Sequence, residues 1–298
     1  MSFRIPISHG HLVATDFGAR SLDQVVVVQT ALNPLELLPL CSVIAGRGGG
    51  VVHLSRRGYG GSSPARASPS VEGDARDIAE ALTTLDFGPA CVVGASYSAG
   101  VALTLAVTHP HLVRSVVAVE TPPTGTAGAA AFSAANRRLL AARRAAGVPA
   151  AMDHFLTALS GDRWRADAEA LVPGSVAAMS RDAATFFDHD VPALLGWRLP
   201  AAELATVGCP VLVVEGGASH PWFREMATHL AALLPLPRRA SVAGAGHDVA
   251  LTHADEVARL VLATARAGGV GATVGPGRAG RRNSTERPGS TRPGRPAR

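Results

Sequence analysis

The residues best suited to do chemistry lie in Ala90–Gly100, which reads ACVVGASYSAG. An apolar run ends in Gly94-Ala95. Ser96 and Tyr97 follow, and Ser98-Ala99-Gly100 lead into the apolar stretch Val101–Val107. That order spells strand, sharp turn and buried helix. A serine at such a turn holds its hydroxyl above the end of a sheet, where it can serve as a nucleophile. Small residues two positions to either side let the strand and helix backbones pass closely. Here they are Gly94 and Ser98, so a serine stands where a G-x-S-x-G pattern has its second glycine. Other chemistries are excluded. No G-x-x-x-x-G-K-[ST] loop is present, and the glycines of SRRGYGGSS form no G-x-G-x-x-G opening a helix. Cys41, Cys91 and Cys209 have no metal-like spacing and read as buried, reduced thiols.

Around this turn the chain alternates strand and helix. Phe3–Ile7 and His11–Phe17 flank Ser8-His9-Gly10 and read as a hairpin. Val25–Val28, Val51–Leu54, Ala90–Ala95, Val113–Val119 and Val211–Val214 are short runs without polar alternation, the pattern of parallel strands buried on both faces. Val71, Ile78, Ala81, Leu82 and Leu85 share one helical face. Between Glu120 and about Ala205 the strands stop, and Ala-rich helical pieces take over at Ala129–Ala146, Ala150–Leu159 and Val176–Phe187. Trp222–Leu234 reads as a helix, Ser241–Ala243 as a short strand and His253–Arg266 as the last helix. The expected class is α/β: a mostly parallel sheet flanked by helices on both faces, with a helical lid inserted before the fifth parallel strand. The expected division is a core of residues 1–120 and 206–266, a lid of 121–205 and a tail of 267–298.

The chain has 298 residues, 47% hydrophobic and 17% charged, as in a globular soluble protein. Its net charge of +5 misleads. Residues 267–298 hold seven Arg and one Glu, a net +6, which leaves −1 for residues 1–266. The folded body is therefore not a basic nucleic-acid binder. The Gly-, Pro- and Arg-rich tail has no apolar periodicity and is expected to be disordered. No apolar run approaches the ~18 residues of a membrane span. The opening MSFRIPISHGHLVATDFG lacks the apolar core of a secretory signal. The expectation is a cytoplasmic protein with no membrane partner.

VVVVQTALNPLELLPL, HLSRRGYGGSS, DIAEALTTLDFGPACVVGASYSAGVALTLAVTHPHLVRSVVAVE, CPVLVVEGG and GAGHDVALTHADEVARLV together resemble successive segments of an α/β-hydrolase-fold protein over residues 3–266. The resemblance implies a chain order of nucleophile, acid and histidine. Ser96 matches the nucleophile. His247, in a Gly-rich turn before the last helix, matches the general base. Of the eleven histidines it alone has that setting; His9, His189, His220, His229 and His253 do not. The family usually carries its Asp in the loop after the strand equivalent to Val211–Val214, where this chain has Ser219. A minority, including relatives of haloalkane dehalogenases, use a carboxylate at the end of the preceding parallel strand, and Glu120 matches that place. Glu215 is the alternative acid. Tyr97 matches one backbone donor of the oxyanion hole. Ala31 matches the other, within Gln29-Thr30-Ala31 where relatives show His-Gly.

The resemblance thus implies a serine hydrolase. It would cleave a small ester, thioester or related acyl substrate through an acyl-enzyme, without metal or organic cofactor. A serine at position 96 argues against the dehalogenase and epoxide-hydrolase chemistry that an aspartate would indicate. Phe132, Phe155, Trp164, Phe186, Phe187 and Trp197 are expected to form the lid core and shape an apolar pocket. The altered acid position and oxyanion loop leave two alternatives open. One is a weakly catalytic or non-catalytic ligand-binding protein; the other is a lyase or cofactor-free peroxidase of the same fold.

Overall fold

The computed structural model describes residues 1–18 and 24–270. The tail expectation for 271–298 lies outside the described residues. Strands β1 (Ser2–Ile7) and β2 (Gly10–Asp16) form the opening hairpin, in register from Ser2 with Thr15 to Ile7 with Gly10. The remaining strands are β3 (Gln24–Val28), β4 (Gly50–Ser55), β5 (Ala90–Ala95), β6 (Val113–Val119), β7 (Val211–Gly216) and β8 (Pro237–Val242). They make one eight-stranded sheet in the order β1-β2-β4-β3-β5-β6-β7-β8. Every pairing from β4 to β8 is parallel; the hairpin joins antiparallel.

The valine runs become strands because β-branched side chains suit a pleated surface, and here both faces of that surface are covered. Val26, Val28, Val92, Val116 and Val213 point to one face, packed with α2 (Val71–Thr84), α3 (Tyr97–Thr108) and α9 (Pro221–Leu233). Val25, Val27, Val93, Val117 and Val214 point to the other, packed with α1 (Leu38–Gly46), α10 (Val249–Thr252) and α11 (Ala254–Val270). Helix α2 starts where the Ser70 hydroxyl accepts from the Gly73 N–H at 3.0 Å, with Glu72 and Asp74 in its first turn. Helix α3 is buried over most of its length, as its apolar circumference requires.

Five α-helices fill the insertion between β6 and β7: α4 (Ala129–Ser160), α5 (Trp164–Leu171), α6 (Ser175–Thr185), α7 (Val191–Gly196) and α8 (Ala201–Leu204), with a π-helical turn at Phe186–Asp190 joining α6 to α7. A separate apolar cluster there includes Met152, Leu156, Trp164, Met179, Phe186, Phe187 and Val191, with Leu32 from the core. The two pieces expected at 129–146 and 150–159 are one run broken at Gly147, whose φ of +81° and the Pro149 ring interrupt the helix. Two boundaries correct the sequence expectation. Strand β8 begins at Pro237, four residues earlier than the Ser241 start expected, because Arg238 and Arg239 pair with Leu212 and Val213 on an edge where polar residues are tolerated. Helix α11 continues to Val270, past the expected core end at residue 266. No helix among the described residues is long and apolar enough to cross a membrane.

Candidate active site

Ser96 stands at the junction of β5 and α3 with φ +49° and ψ −119°, a backbone conformation a non-glycine residue adopts only when its surroundings enforce it. Those surroundings are identifiable. A Cβ on Gly94 would lie 2.0 Å from the Ser98 carbonyl oxygen, so the turn closes only over a glycine there. Ser98, in the place of the motif's second glycine, closes it with its side chain. Its hydroxyl accepts from the Ala95 N–H at 2.9 Å and donates to the Ala95 carbonyl at 3.0 Å. The Ser96 N–H donates to Val119 at 2.9 Å, tying the turn to the end of β6.

Glu120 is the next residue after β6. It also has positive φ, +52°, and its N–H donates to Val214 at 2.8 Å. The carboxylate is buried but fully engaged. Oε1 accepts from the Gly216 N–H at 2.7 Å, and Oε2 accepts from the Ser219 hydroxyl. The same Oε2 lies 3.0 Å from His247 Nδ1. His247 Nε2 lies 3.1 Å from Ser96 Oγ. The imidazole comes from the Gly244–Asp248 turn after β8, and the Phe223 ring stacks on it at 4.4 Å and 27°. Stacking sets the ring plane, while Glu120 sets which nitrogen carries the proton. With the proton on Nδ1, facing the carboxylate, Nε2 is free to accept from Ser96.

The loop after β3 runs alongside. The Ala31 N–H has no acceptor among the described residues, and Ala31 borders the same cavity as Ser96. Tyr97 is the first residue of α3, so its N–H is one of the unpaired donors of a helix start. The cavity measures about 500 Å³ and is reached by Ser96 and His247. Phe155, Leu156, Trp164, Met179 and Phe186 of the insertion form its apolar wall. Glu36, Asp167 and Asp248 also border it, and no Lys or Arg among the described residues does. Burial pushes the Glu36 carboxyl up to about 7; nearby His247 opposes that rise and Asp248 adds to it.

A family model described as the alpha/beta hydrolase family matches residues 33–260. This chain belongs to the α/β-hydrolase family. Solved structures share the fold. A thermophilic esterase from Thermogutta terrifontis superposes with a TM-score of 0.74 at 17% identity, over 90% of this chain and 99% of the esterase. The enol-lactonase of Burkholderia xenovorans gives 0.73 at 18%, over 88% and 98%. An alpha/beta hydrolase from Sphaerobacter thermophilus gives 0.68 at 25%, over 89% and 99%.

In this α/β hydrolase the geometry brings Ser96, His247 and Glu120 into one hydrogen-bonded line, with Tyr97 and Ala31 beside it. Glu215 is not part of that line. Its Oε1 accepts from Arg239 at 2.6 and 3.1 Å on the β8 side. The insertion aromatics divide. Phe155, Trp164 and Phe186 face the cavity, Phe187 and Trp197 are core, and Phe132 meets Trp222 and Phe223 edge-on. Roles for Ser219, Phe223 and Arg56 are not legible in the sequence. Ser219 comes nearest, since the resemblance aligns it with the position where relatives carry the acid. Arg56 had no signal beyond lying before a glycine-rich turn.

Proposed function

We propose that this chain is a serine hydrolase acting on small esters, thioesters or related acyl compounds through an acyl-enzyme. One observation carries the reading: the unbroken path from Ser96 Oγ through His247 to Glu120, at 3.1 and 3.0 Å. In the proposed reaction His247 Nε2 takes the Ser96 proton as Oγ attacks the substrate carbonyl carbon. The tetrahedral oxyanion accepts hydrogen bonds from the N–H groups of Tyr97 and Ala31. Glu120 holds the proton on Nδ1 and stabilises the imidazolium. The imidazolium then gives its Nε2 proton to the departing alcohol or thiol as the carbon–oxygen or carbon–sulfur bond breaks. A water molecule repeats the cycle: His247 removes its proton, its oxygen attacks the acyl carbon, and Ser96 leaves with the proton returned. In this reading the 121–205 insertion is a lid, and its aromatic wall receives the acyl or alcohol group. The site needs no cofactor, and the substrate is a small molecule met in the cytoplasm.

Fluorophosphonate labelling tests the reading. Wild-type protein should be labelled at Ser96 and hydrolyse p-nitrophenyl acetate. Ser96→Ala should lose the label and on the order of 10⁴-fold or more in kcat. A folded wild-type protein that takes no label at Ser96 would refute it.

A further inference from the structure

Behind the site lies a buried cation that the proposed reaction does not use. Arg56, directly after β4, is 1% exposed. All five of its N–H bonds are occupied. Nε donates to the Gln29 carbonyl at 3.0 Å, and Nη2 donates to the Thr30 carbonyl at 3.2 Å and to Asp190 at 2.8 Å. Nη1 donates to Asp74 at 2.7 Å and Asp190 at 2.9 Å. The guanidinium also lies 4.1 Å from the Tyr97 ring centroid and 5.0 Å from that of Tyr59. Asp74, His189 and Asp190 bring potential metal-ligand atoms within 4.8 Å of one another, but Arg56 bonds both carboxylates, so the cation of this cluster is the protein's own.

We propose that Arg56 is a positioning residue for the oxyanion hole, aiming both backbone donors through one guanidinium. This rests on the serine-hydrolase reading above. The Thr30 carbonyl and the Ala31 N–H belong to one planar trans peptide and point in opposite directions. Pinning the carbonyl inward on Arg56 therefore turns the Ala31 N–H outward, toward the cavity. The Gln29 carbonyl fixes the preceding peptide plane in the same way. The Gln29 side-chain amide also donates to the Thr30 carbonyl, and the Thr30 hydroxyl donates to Ala95 at 2.8 Å, fastening the loop to the Ser96 turn. The second donor is the N–H of Tyr97, whose ring lies under Arg56 and whose hydroxyl donates to Asp74 at 2.9 Å. Tyr59 completes the mount. Its hydroxyl accepts from the Leu32 N–H at 3.2 Å and donates to Asp190 at 2.5 Å. Thr30 stands where the resemblance has a glycine, and a guanidinium with no spare donor constrains its peptide. Because Asp190 comes from the insertion, the same contact ties the insertion to the oxyanion loop.

The test compares an oxo-ester with its thiono-ester isologue in wild type, Arg56→Lys and Tyr59→Phe, each rate expressed per serine titrated by fluorophosphonate. The thiono substrate develops its charge on sulfur, a weak hydrogen-bond acceptor, and gains little from the two N–H groups. Lysine keeps the charge but has three donors for five places. Arg56→Lys should lower kcat on the oxo-ester by about 10²-fold with KM little changed, the scale of one lost oxyanion donor. The thiono-ester rate should change only a few-fold. Tyr59→Phe, which removes one hydroxyl from the mount, should shift the oxo/thiono ratio the same way by about 10-fold, and it decides the matter if Arg56→Lys does not fold. Equal losses on both substrates, or no loss on either, would overturn the proposal and leave Arg56 a structural ion pair. Absence of label at Ser96 in wild type is a separate result; it removes the hydrolase reading, and this one with it.

Discussion

The Ser219 hydroxyl donates to Oε2 of Glu120, the same oxygen that faces Nδ1 of His247. The residue that the resemblance aligns with the family's usual acid position therefore braces Glu120, the acid of the proposed triad. An aspartate at 219 would bring its carboxylate to the space Glu120 already occupies. Like charges that close repel, so the pair would no longer hold His247 as the single Glu120 carboxylate does. Ser219→Asp should thus lower kcat at pH 7. Combined with Glu120→Ser, the same aspartate is expected to recover on the order of 10²-fold over Glu120→Ser alone, because the acid has moved to the other strand. No recovery in the double variant would show that residue 219 cannot reach His247.

The choice between Glu120 and Glu215 is equally direct. An amide at 120 would present an N–H to His247 Nδ1 and drive the proton onto Nε2, which then could not accept from Ser96. Glu120→Gln should lower kcat by about 10⁴-fold with ester KM little changed. Glu215 is turned to Arg239, so Glu215→Gln should leave kcat within a few-fold and lower thermal stability only slightly, since Arg239 is partly exposed. Steady-state kinetics on p-nitrophenyl acetate read both, and the reverse pattern would transfer the acid role to Glu215.

Much of this was readable in the chain because the informative residues are local. The runs Val25–Val28 and Val211–Val214 are buried on both faces, as their lack of polar alternation requires. Ser96 sits at a turn whose neighbours must be small. His247 lies in the Gly-rich turn that leads into α10 and then the final helix. The supports were not readable because they join residues far apart in sequence. Arg56 meets Asp190 across 134 positions, and Ser219 meets Glu120 across 99. The pair Arg56-Arg57 before Gly58 looks like two solvated loop cations; in the fold Arg56 is closed in by Asp74, Tyr97 and Tyr59 of the core and by Asp190 of the insertion. The first residues of strand β8 are hidden in the sequence for a related reason. Arg238 and Arg239 carry little strand propensity, and their pairing with β7 is set by the edge, not by their side chains.

Glu36 makes stability depend on pH. Its carboxyl is pushed up from an ordinary 4.5 to about 7 by burial beside the cavity. The folded protein then holds this proton more tightly than the unfolded chain does. Stability from this group is present below about pH 4.5 and is lost as pH rises toward 7. Glu36→Gln has no proton to lose there. Melting temperatures from pH 5 to 8 should therefore shift in favour of Glu36→Gln relative to wild type as pH increases. Parallel curves would mean that Glu36 is solvated like a surface carboxylate.

The Ser96 turn itself is testable through Ser98. Its hydroxyl satisfies the Ala95 N–H and shares the Ala95 carbonyl with the Thr30 hydroxyl. Ser98→Ala keeps the small volume but leaves the buried Ala95 N–H without its partner. A loss of about 1–3 kcal/mol is expected from urea denaturation, the cost of an orphaned buried donor. Ser98→Gly, which restores the family's usual residue, orphans the same N–H and adds backbone freedom at a helix start, so it should be no more stable than Ser98→Ala. Gly94→Ala is of another order. Its Cβ would meet the Ser98 carbonyl at 2.0 Å, where only backbone displacement relieves the contact, so the loss should exceed about 4 kcal/mol or prevent folding. If Ser98→Gly instead matched wild type in stability and turnover, the hydroxyl bridge would be dispensable, and the strained φ of Ser96 would be held by Gly94 and the helix start alone.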